Sequence, residues 1–462
     1  MRYISTRGQD PPQGFEEVLL AGLAPGGGLY LPEQWPQIDA DEIASFANAT
    51  YADVAFRVLS KFAGDEIPSA ALKQDIDAAY ATFDLETVAP LVEIDPGIHL
   101  LELFHGPTLA FKDIAMQVLG RLFARALTRR GRKATVLAAT SGDTGSAAIA
   151  ALGGLPNIEL FVLHPKGRVS DVQRRQMTTD KHANVHNIAL EGSFDDAQSI
   201  VKSLFADRDF VAKTNLTAVN SINFARIAAQ TVYYFSAAAK LAPAPLFVVP
   251  TGNFGDVFAG EAAMRMGLAI EKLIVATNSN DILVRALGNG IYATGRAKPT
   301  LSPSMDIQVA SNFERALFEA SGRDSAWTRG AMNEFGRAGI LEIPPNILAG
   351  LQSRYEAYRV TDEETLEVIA GVRQKTGRLV DPHTAVALAA AAKMMPRARN
   401  PIVVLATAHA AKFPESVARA VGVMPPLPPR LAGLYEGEER VSILPHDGAR
   451  VRAFIEAALS HP

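Results

Sequence analysis

The sequence predicts an α/β protein with two domains built on mostly parallel sheets, preceded by a mainly helical N-terminal domain. From about residue 97 onward, short apolar runs alternate with helical patterns, as in "ATVLAAT" before "GSAAIAALGG" and "PLFVVP" before "DVFAGEAAMRMG". Before that point, "DEIASFANATYADVAFRVLSKF" has apolar residues at helical spacing. The length of 462 residues is sufficient for two or three hydrophobic cores.

The same patterns set the expected domain boundaries. Residues 1–95 form the helical N-terminal domain, which contains the Gly/Pro-rich segment "GLAPGGGLYLPEQWP". Residues 96–130 and 221–462 form a larger α/β domain, and residues 131–220 form a smaller α/β domain. Near the end of the chain we expect an extended connection, "VMPPLPPRL", and a final helix that begins near Asp447.

Composition excludes several classes of function. A formal net charge of −4 with scattered Lys and Arg argues against a nucleic-acid-binding surface. The absence of cysteine excludes disulfides, thiolate nucleophiles and sulfur ligands for zinc. No signal-peptide core and no membrane-length apolar run is visible. We therefore expect a soluble cytoplasmic protein, a monomer or homodimer, that acts on a small molecule and binds neither nucleic acid nor membrane.

Two Gly-rich loops join predicted strands to predicted helices, where α/β proteins bind ligands. In "ATSGDTGSAA", backbone N–H groups from Ser141 onward would lie at a helix N-terminus, which suits a phosphate or carboxylate; the alternative is ordinary capping by a side chain of this loop. In "PTGNFGDVFAG", Gly252 and Gly255 allow an anion to approach the backbone, and Asn253 adds a donor. Neither loop is a P-loop or a dinucleotide-binding turn.

A third strand-to-helix junction is "VVLATAHAAKF", where Thr407 follows the predicted strand and can offer a neutral hydroxyl. His409 and Lys412 lie nearby, and they fit an ordinary loop histidine and a solvated lysine at least as well as catalytic roles. The histidines of the chain show no metal-ligand spacing, so we expect no catalytic metal.

The segment "AVNSINFARIAAQ" predicts a helix that starts near Asn223 and is capped by Asn220 or Ser221. Arg226 then lies in its first turn, where the helix dipole disfavours a cation. An anion beside this turn would make the arginine favourable, because its planar donors can bind phosphate oxygens. The alternative is an exposed surface arginine.

Lys112 follows apolar residues in "FHGPTLAFKD", where a helix is predicted to begin. Such a helix places Ala115, Met116 and Leu119 on the same side as the lysine, toward the interior. Burial and the positive end of the dipole would both lower the pKa of the amine, as attack on the aldehyde of pyridoxal phosphate requires. The alternative is a lysine whose ammonium reaches water from the first helical turn.

Several motifs in a fixed order resemble one family, the threonine synthases of the longer bacterial and fungal type, within the tryptophan synthase β-like (fold type II) class of pyridoxal-phosphate enzymes. They are "FHGPTLAFKD", "ATSGDTGSAA", "NSINFAR", "PTGNFGD", "SMDIQVASNFER" and "TAHAAKF", with "GGLYLPE" near the start. The resemblance therefore covers essentially the whole chain. Two positions depart from common patterns: Asp143 stands where the wider class often has Asn, and Ala410 where threonine synthases commonly have Pro.

The resemblance implies roles for these motifs. Lys112 would be the catalytic residue that forms the internal aldimine, and Thr407 would face the pyridine nitrogen. The cofactor-binding loop would contain Gly252, Asn253, Phe254, Gly255 and Asp256. The substrate would be bound at its phosphate by Asn220, Ser221, Asn223 and Arg226, and at its amino-acid portion by Ser141, Gly142, Asp143 and Thr144.

The implied reaction is the last step of threonine biosynthesis, in which a carbon–oxygen lyase converts O-phospho-L-homoserine and water into L-threonine and inorganic phosphate. Lys112, displaced from the cofactor by the substrate amine, would remove the Cα proton. One alternative is another amino-acid lyase or dehydratase of the same class, whose substrate lacks a phosphate and needs no Arg226. The other is a non-catalytic metabolite-binding relative that has kept the fold.

Overall fold

The structure is a computed structural model that describes residues 1–460. Its first elements are β1 (Tyr3–Ser5), α1 (Phe15–Ala21), β2 (Tyr30–Pro32), α2 (Ala40–Ser45), α3 (Tyr51–Ala63) and α4 (Ser69–Tyr80). β1 and β2 pair antiparallel. The long stretch with helical apolar spacing forms both α2 and α3, because Thr50 begins a new helix: its side chain accepts a hydrogen bond from the backbone N–H of Asp53.

Strands and helices then alternate along the chain. These elements are β3 (Leu91–Asp95), β4 (Ile98–Glu102), α5 (Lys112–Arg129), β5 (Ala134–Ala139), α6 (Asp143–Leu152), β6 (Ile158–Pro165), α7 (Asp171–Thr178), β7 (Val185–Glu191), α8 (Phe194–Ala206), α9 (Arg208–Thr214), β8 (Leu216–Thr217) and α10 (Phe224–Ala238). The two helix starts predicted near Lys112 and Asn223 are found, at α5 and α10.

The alternation continues to the end of the described chain. The remaining elements are β9 (Leu246–Pro250), α11 (Gly255–Arg265), β10 (Lys272–Thr277), α12 (Ile282–Asn289), β11 (Ile291–Ala293), α13 (Phe313–Ala320), α14 (Ser325–Ala338), β12 (Ile340–Glu342), α15 (Pro345–Arg354), β13 (Tyr355–Arg359), α16 (Asp362–Thr376), α17 (Pro382–Met394), β14 (Ile402–Ala406), α18 (Pro414–Val421), β15 (Ser442–Pro445) and α19 (Gly448–Ser460). The predicted final helix is α19.

Two larger sheets contain most of these strands, while β11 and β12 form a separate antiparallel pair. One has the strand order β13-β10-β9-β14-β4-β3, and its neighbouring strands run parallel except in the β3–β4 hairpin. The other has the order β15-β7-β6-β5-β8 and is parallel between all neighbours. Parallel strands require crossover connections, which helices mostly provide here. The predicted α/β class with mostly parallel sheets is confirmed.

The end of the chain departs from the predicted domain boundaries. The sequence pattern assigned residues 221–462 to the larger domain, but β15 pairs with β7 and so extends the five-stranded sheet. α19 packs against α8, on the same side of the molecule. The strand escaped prediction because it is a short edge strand whose residues are half-buried or exposed, so no apolar run marks it. Residues 461 and 462 lie outside the described part.

The interior is formed by elements that are buried on all sides. Every residue of α10 is buried, and this helix contacts α3, α5 and α11. β9 and β14 are buried at every position, which explains their continuous apolar sequences. A polar side chain in the first turn of α10 is therefore carried into the centre of the molecule.

The loops that follow β5, β9 and β14 contribute to one cleft. β9 and β14 are parallel strands of the six-stranded sheet, so the loops that follow them lie at the same edge. The loop after β5 comes from the five-stranded sheet and lines the same cleft. In the part of the chain that the structure describes, no helix is both long and apolar enough to cross a membrane.

Candidate active site

A cleft of about 1980 Å³ brings together the predicted site segments. Its walls include the start of α5, the loop that leads into α6, the segment before α10, the loop between β9 and α11, and Thr407 after β14. Segments that are up to about three hundred residues apart in sequence therefore meet around one volume. The sequence motifs are parts of a single site.

Lys112 is the first residue of α5, and its side chain is 11% exposed. The backbone N–H of the preceding residue, Phe111, donates to the carbonyl oxygen of Thr407 at 2.8 Å, which fixes the helix start against the end of β14. Burial lowers the pKa of the Lys112 amine, and the nearby Asp143 carboxylate opposes this effect. The structure thus contradicts the alternative of a lysine that reaches into water.

Asp143 lies between two lysines. Its Oδ2 is 3.1 Å from Lys112 Nζ, and its Oδ1 is 3.0 Å from Lys412 Nζ. Gln173 Nε2 also donates to Oδ1 at 2.8 Å, and Ser304 Oγ donates to Oδ2 at 3.3 Å. Although burial alone would raise the pKa of this carboxyl, the two ammonium groups hold it well below its ordinary value.

Capping by a side chain, which was the alternative interpretation of the loop before α6, is not found. No side chain of Ser141, Asp143 or Thr144 caps the helix; Gly142 occupies the cap position with a φ of 134°. Instead, Thr140 Oγ1 accepts hydrogen bonds of 2.9 Å from two glycine N–H groups of the loop. Ser141 and Thr144 therefore line the cleft with their side chains free of a capping role, whereas Asp143 is paired with the two lysines.

In the loop between β9 and α11, Gly252 packs closely against the protein's own backbone, while the approach of an anion to this loop stays a prediction. A Cβ atom on Gly252 would lie 2.6 Å from the carbonyl oxygen of Ser304, so no larger residue fits without moving the backbone. Phe254 has a positive φ of 63°, and its ring packs on Phe313 and Tyr355. The contribution of Phe254 to a ligand is therefore limited to its backbone.

Asp256, in the first turn of α11, is directed at two tyrosines and not at the open cleft. Its Oδ1 accepts hydrogen bonds from the hydroxyls of Tyr233 and Tyr234, while Oδ2 is buried without a partner among the described residues. Burial raises the pKa of this carboxyl to about 7. Near neutral pH the Asp256 carboxyl is therefore protonated in part of the molecules and ionised in the rest.

Arg226 is buried, with 3% of its surface exposed, which contradicts the alternative of a surface arginine. Its Nε and Nη1 atoms have no hydrogen-bond partner within residues 1–460. Burial lowers the pKa of the guanidinium to about 10. An unpartnered buried cation is costly, and a bound anion would satisfy it.

The segment before α10 also differs from the prediction in its cap. The cap is Asn223, whose side chain accepts from the N–H of Ala225 and donates to the carbonyl of Leu19, and neither Asn220 nor Ser221 has this role. Both ends of the Asn223 amide are therefore used within the protein. Asn220 is exposed, and its Oδ1 accepts from the N–H of Ile222.

Three side chains in or next to the cleft gained importance only from the structure. Lys412 is completely buried, so its interpretation as a solvated lysine is wrong. His383 Nδ1 lies 2.8 Å from Asp381, and its Nε2 accepts from the backbone N–H of Ser304. The motif "SMD" was visible in the sequence, but no local pattern indicates that Ser304 or His383 faces the cleft.

The chemistry of the cleft suits a phosphate-bearing aldehyde cofactor and an anionic substrate. It combines a desolvated amine, the N-terminus of α11 behind a glycine loop, and an unpartnered arginine. Among residues 1–460, no group of three acidic or histidine side chains is placed to hold a metal ion.

Comparison with known proteins places these features in context. Three family models match the chain: "Threonine synthase N terminus" at residues 2–80, "Pyridoxal-phosphate dependent enzyme" at 82–408 and "Threonine synthase, C-terminal" at 384–455. The threonine synthase of Pseudomonas aeruginosa is 50% identical over 98% of both chains, and that of Methylobacillus glycogenes is 41% identical over 98% of this chain and 99% of the other.

Solved structures give the same result. The pyridoxal-phosphate-bound threonine synthase of Brucella melitensis is 49% identical, with a TM-score of 0.96 over 99% of both chains. The yeast threonine synthase is 37% identical, with a TM-score of 0.94 over 100% of this chain and 99% of that one.

Proposed function

The chain belongs to the threonine synthase family of pyridoxal-phosphate-dependent enzymes, and from this premise we propose that it converts O-phospho-L-homoserine and water into L-threonine and inorganic phosphate. The observation that carries the proposal is a desolvated Lys112 amine in the same cleft as the unpartnered guanidinium of Arg226. The first suits an aldehyde cofactor, and the second suits a substrate that bears a phosphate.

The residues of the cleft fit pyridoxal phosphate. Lys112 supplies the amine that binds its aldehyde, and the N-terminus of α11 offers backbone N–H groups to its phosphate. The bare Cα of Gly252 lets this loop pack against the backbone carbonyl of Ser304, which holds the loop at the start of α11. Thr407, at the end of β14, supplies a neutral hydroxyl for the ring nitrogen. When bound, the cofactor stores the electrons that are released as a substrate C–H bond breaks.

Lys112 is the proposed base. A side chain that first holds the cofactor and is then released has a free amine beside the bound substrate. Burial lowers the pKa of this amine, so a larger fraction is neutral and able to take the Cα proton. Asp143 limits the shift, because its carboxylate lies 3.1 Å away and favours the protonated amine.

Arg226 is the proposed ligand of the substrate phosphate. Two of its guanidinium atoms lack partners, and it lies in the first turn of α10, whose N-terminus also attracts an anion. A phosphate here would satisfy both the arginine and the helix. This feature favours a phosphorylated substrate over the phosphate-free substrates of related lyases, for which a buried unpaired arginine would be a cost without a benefit.

The loop before α6 is the proposed site for the substrate carboxylate. The backbone N–H groups around Ser141 and Thr144 lie at a helix N-terminus, and these side chains line the cleft. The proposal also includes a cytoplasmic enzyme that acts as a monomer or homodimer. The absence of cysteine from the 462 residues is compatible with a reducing compartment.

The test is an absorbance spectrum of the purified protein with and without O-phospho-L-homoserine, coupled to an assay for released phosphate and to identification of the amino-acid product. We expect a visible cofactor band, a spectral change on substrate addition, and equal amounts of phosphate and L-threonine. Phosphate-free lyase activity on serine or threonine, with no reaction of the phosphorylated substrate, would contradict the proposal.

A further inference from the structure

Lys412 is a fully buried cation at the boundary between the two sheets. It follows β14 of the six-stranded sheet, yet its Nζ lies 3.0 Å from Asp143 Oδ1 on α6 and donates to Gln176 Oε1 on α7 at 3.1 Å. A third hydrogen bond of 2.7 Å goes to the carbonyl of Thr108. All three protons of the ammonium are therefore directed at partners.

Asp143 needs a counter-ion that lasts through the reaction cycle. In the structure it contacts two ammonium groups, but the charge on the Lys112 nitrogen depends on pH once this nitrogen binds the cofactor aldehyde, and the nitrogen must be neutral when it acts as a base. Lys412 has no such task. It is the partner that can hold the Asp143 charge in every state.

The position of Asp143 makes this neutralisation necessary. Asp143 is the first residue of α6. It therefore adjoins the loop that we propose binds the carboxylate of the substrate. Two carboxylates close together in a buried site repel each other and would weaken substrate binding. A paired Asp143 presents almost no net charge, so the N–H groups of the helix N-terminus remain favourable for an anion.

We propose that Lys412 is a positioning residue that neutralises Asp143 and so allows the α6 loop to accept the substrate carboxylate. This inference rests on the proposed function, and it identifies Lys412 as a residue on which binding of the substrate carboxylate depends. The competing explanation is a purely structural tether, in which Lys412 only joins Thr108 to Gln176.

A double-mutant cycle separates these explanations. Lys412→Met should raise KM for O-phospho-L-homoserine by about ten- to a hundredfold, because it leaves Asp143 as an uncompensated buried charge. Adding Asp143→Asn to this variant should restore KM to within about threefold of Asp143→Asn alone, since no charge then needs a partner. A tether predicts no such rescue, because the contacts of Lys412 with Thr108 and Gln176 stay lost.

A second readout does not depend on turnover. The charged groups that act on the Lys112 nitrogen are Asp143 on α6, Lys412 and Arg226 on α10. Asp256 on α11, which is turned toward two tyrosines, is influenced by the Lys112 charge, and His383 on α17 acts on Asp143. In the absence of substrate, Lys412→Met should move the pH midpoint of the visible cofactor band upward. Asp143→Asn should move it downward, and the double variant should return near the wild-type value.

Two further variants sharpen the test. Lys412→Gln keeps a hydrogen-bond donor but removes the charge, so it should behave like Lys412→Met. Lys213→Met, at an exposed lysine paired with Glu456, is the control and should change neither KM nor the midpoint. Thermal unfolding of each variant identifies any loss of fold, and Asp143→Asn alone tests the charge pairing if the Lys412 variants do not fold.

The outcomes distinguish this inference from the proposed function. If the wild-type protein does not release phosphate from O-phospho-L-homoserine, the function is wrong, but the opposite pH shifts still test the charge pairing. Two results would overturn the inference when turnover is as proposed. One is that Lys412→Met leaves both KM and the pH midpoint unchanged. The other is that adding Asp143→Asn does not restore the KM of Lys412→Met.

Discussion

The side-chain amide of Asn312 donates to the backbone carbonyl of Ser221 at 3.1 Å. The same Nδ2 atom donates to the carbonyl of Asn253 at 3.0 Å. The Oδ1 atom of Asn312 accepts a hydrogen bond from the buried guanidinium of Arg315. Arg315 also donates to the carbonyl of Ile222 at 2.7 Å. One buried pair of side chains thus joins the proposed cofactor loop to the proposed phosphate segment.

Replacing Asn312 should loosen both loops together. Asn312→Ala removes donors from two carbonyls and leaves the Arg315 guanidinium with one partner fewer, a loss of roughly 1–3 kcal/mol. We expect weaker cofactor retention on dialysis and a higher KM for the substrate in the same variant. The control is Asn333→Ala, at an exposed helical position. A change in KM with unaltered cofactor affinity would show that the two loops are not coupled.

The positions of these segments could be predicted from the sequence because strand-to-helix alternation and glycine loops are local patterns. The helix start at Lys112 and the burial of its amine followed from the apolar residues around it. The location of Lys412 could not be predicted, because its burial depends on Thr108 and Gln176, which are 304 and 236 residues away in the chain.

Arg226 shows the same division between local and tertiary information. The unfavourable position of a cation in a first helical turn is a local argument for a nearby anion, which stays a prediction. Whether the arginine is exposed or buried is decided by the packing of α10 between other helices, which no sequence spacing reveals. The cap of α10 was misassigned because Asn220, Ser221 and Asn223 are all suitable residue types, and the contact of Asn223 with Leu19 selects among them.

Removal of the Lys112 amine should abolish turnover without unfolding the protein. Lys112→Ala deletes the group that binds the cofactor aldehyde and the proposed base, while the loop that we propose holds the cofactor phosphate is elsewhere in the chain. The purified variant should lose the visible band of the lysine-bound cofactor and keep its thermal unfolding temperature within a few degrees. Retention of both the band and the activity would disprove the assignment.

A side chain at Gly252 should reduce cofactor affinity. A Cβ atom there would lie 2.6 Å from the backbone carbonyl of Ser304, so Gly252→Val must displace the loop and not merely a flexible side chain. We expect the variant to lose its cofactor during dialysis that the wild type withstands. Gly330→Val is the matched control, since a Cβ atom at Gly330 has no neighbour within 4 Å. Equal cofactor retention in both variants would exclude a role for the Gly252 loop.

Asp256 should make the cofactor-free protein less stable as the pH rises. Its pKa is raised from 3.8 to about 7, so the folded state binds the proton more tightly than the unfolded state does. The stabilisation is complete below pH 4 and is lost between about pH 4 and 7, at about 1.4 kcal/mol for each pH unit. Chemical unfolding at several pH values should show that the free energy of unfolding of the wild type falls relative to that of Asp256→Asn as the pH rises across this range. A constant difference between the two free energies would mean that Asp256 does not titrate there.

Arg226 should decide the preference for a phosphorylated substrate. Arg226→Ala removes a charge-assisted contact of the kind that contributes roughly 1.5–3 kcal/mol, so kcat/KM for O-phospho-L-homoserine should fall about ten- to a hundredfold. Cofactor binding should be unaffected. Arg226→Lys should restore only part of the activity, because one ammonium cannot replace the paired donors of a guanidinium. Inhibition by inorganic phosphate should weaken in the same order, since the leaving group would occupy the same site. If the alanine variant keeps wild-type kcat/KM and phosphate inhibition, the substrate phosphate is bound elsewhere in the cleft, and the cationic residues Lys298 and Arg168 along its wall become the next candidates.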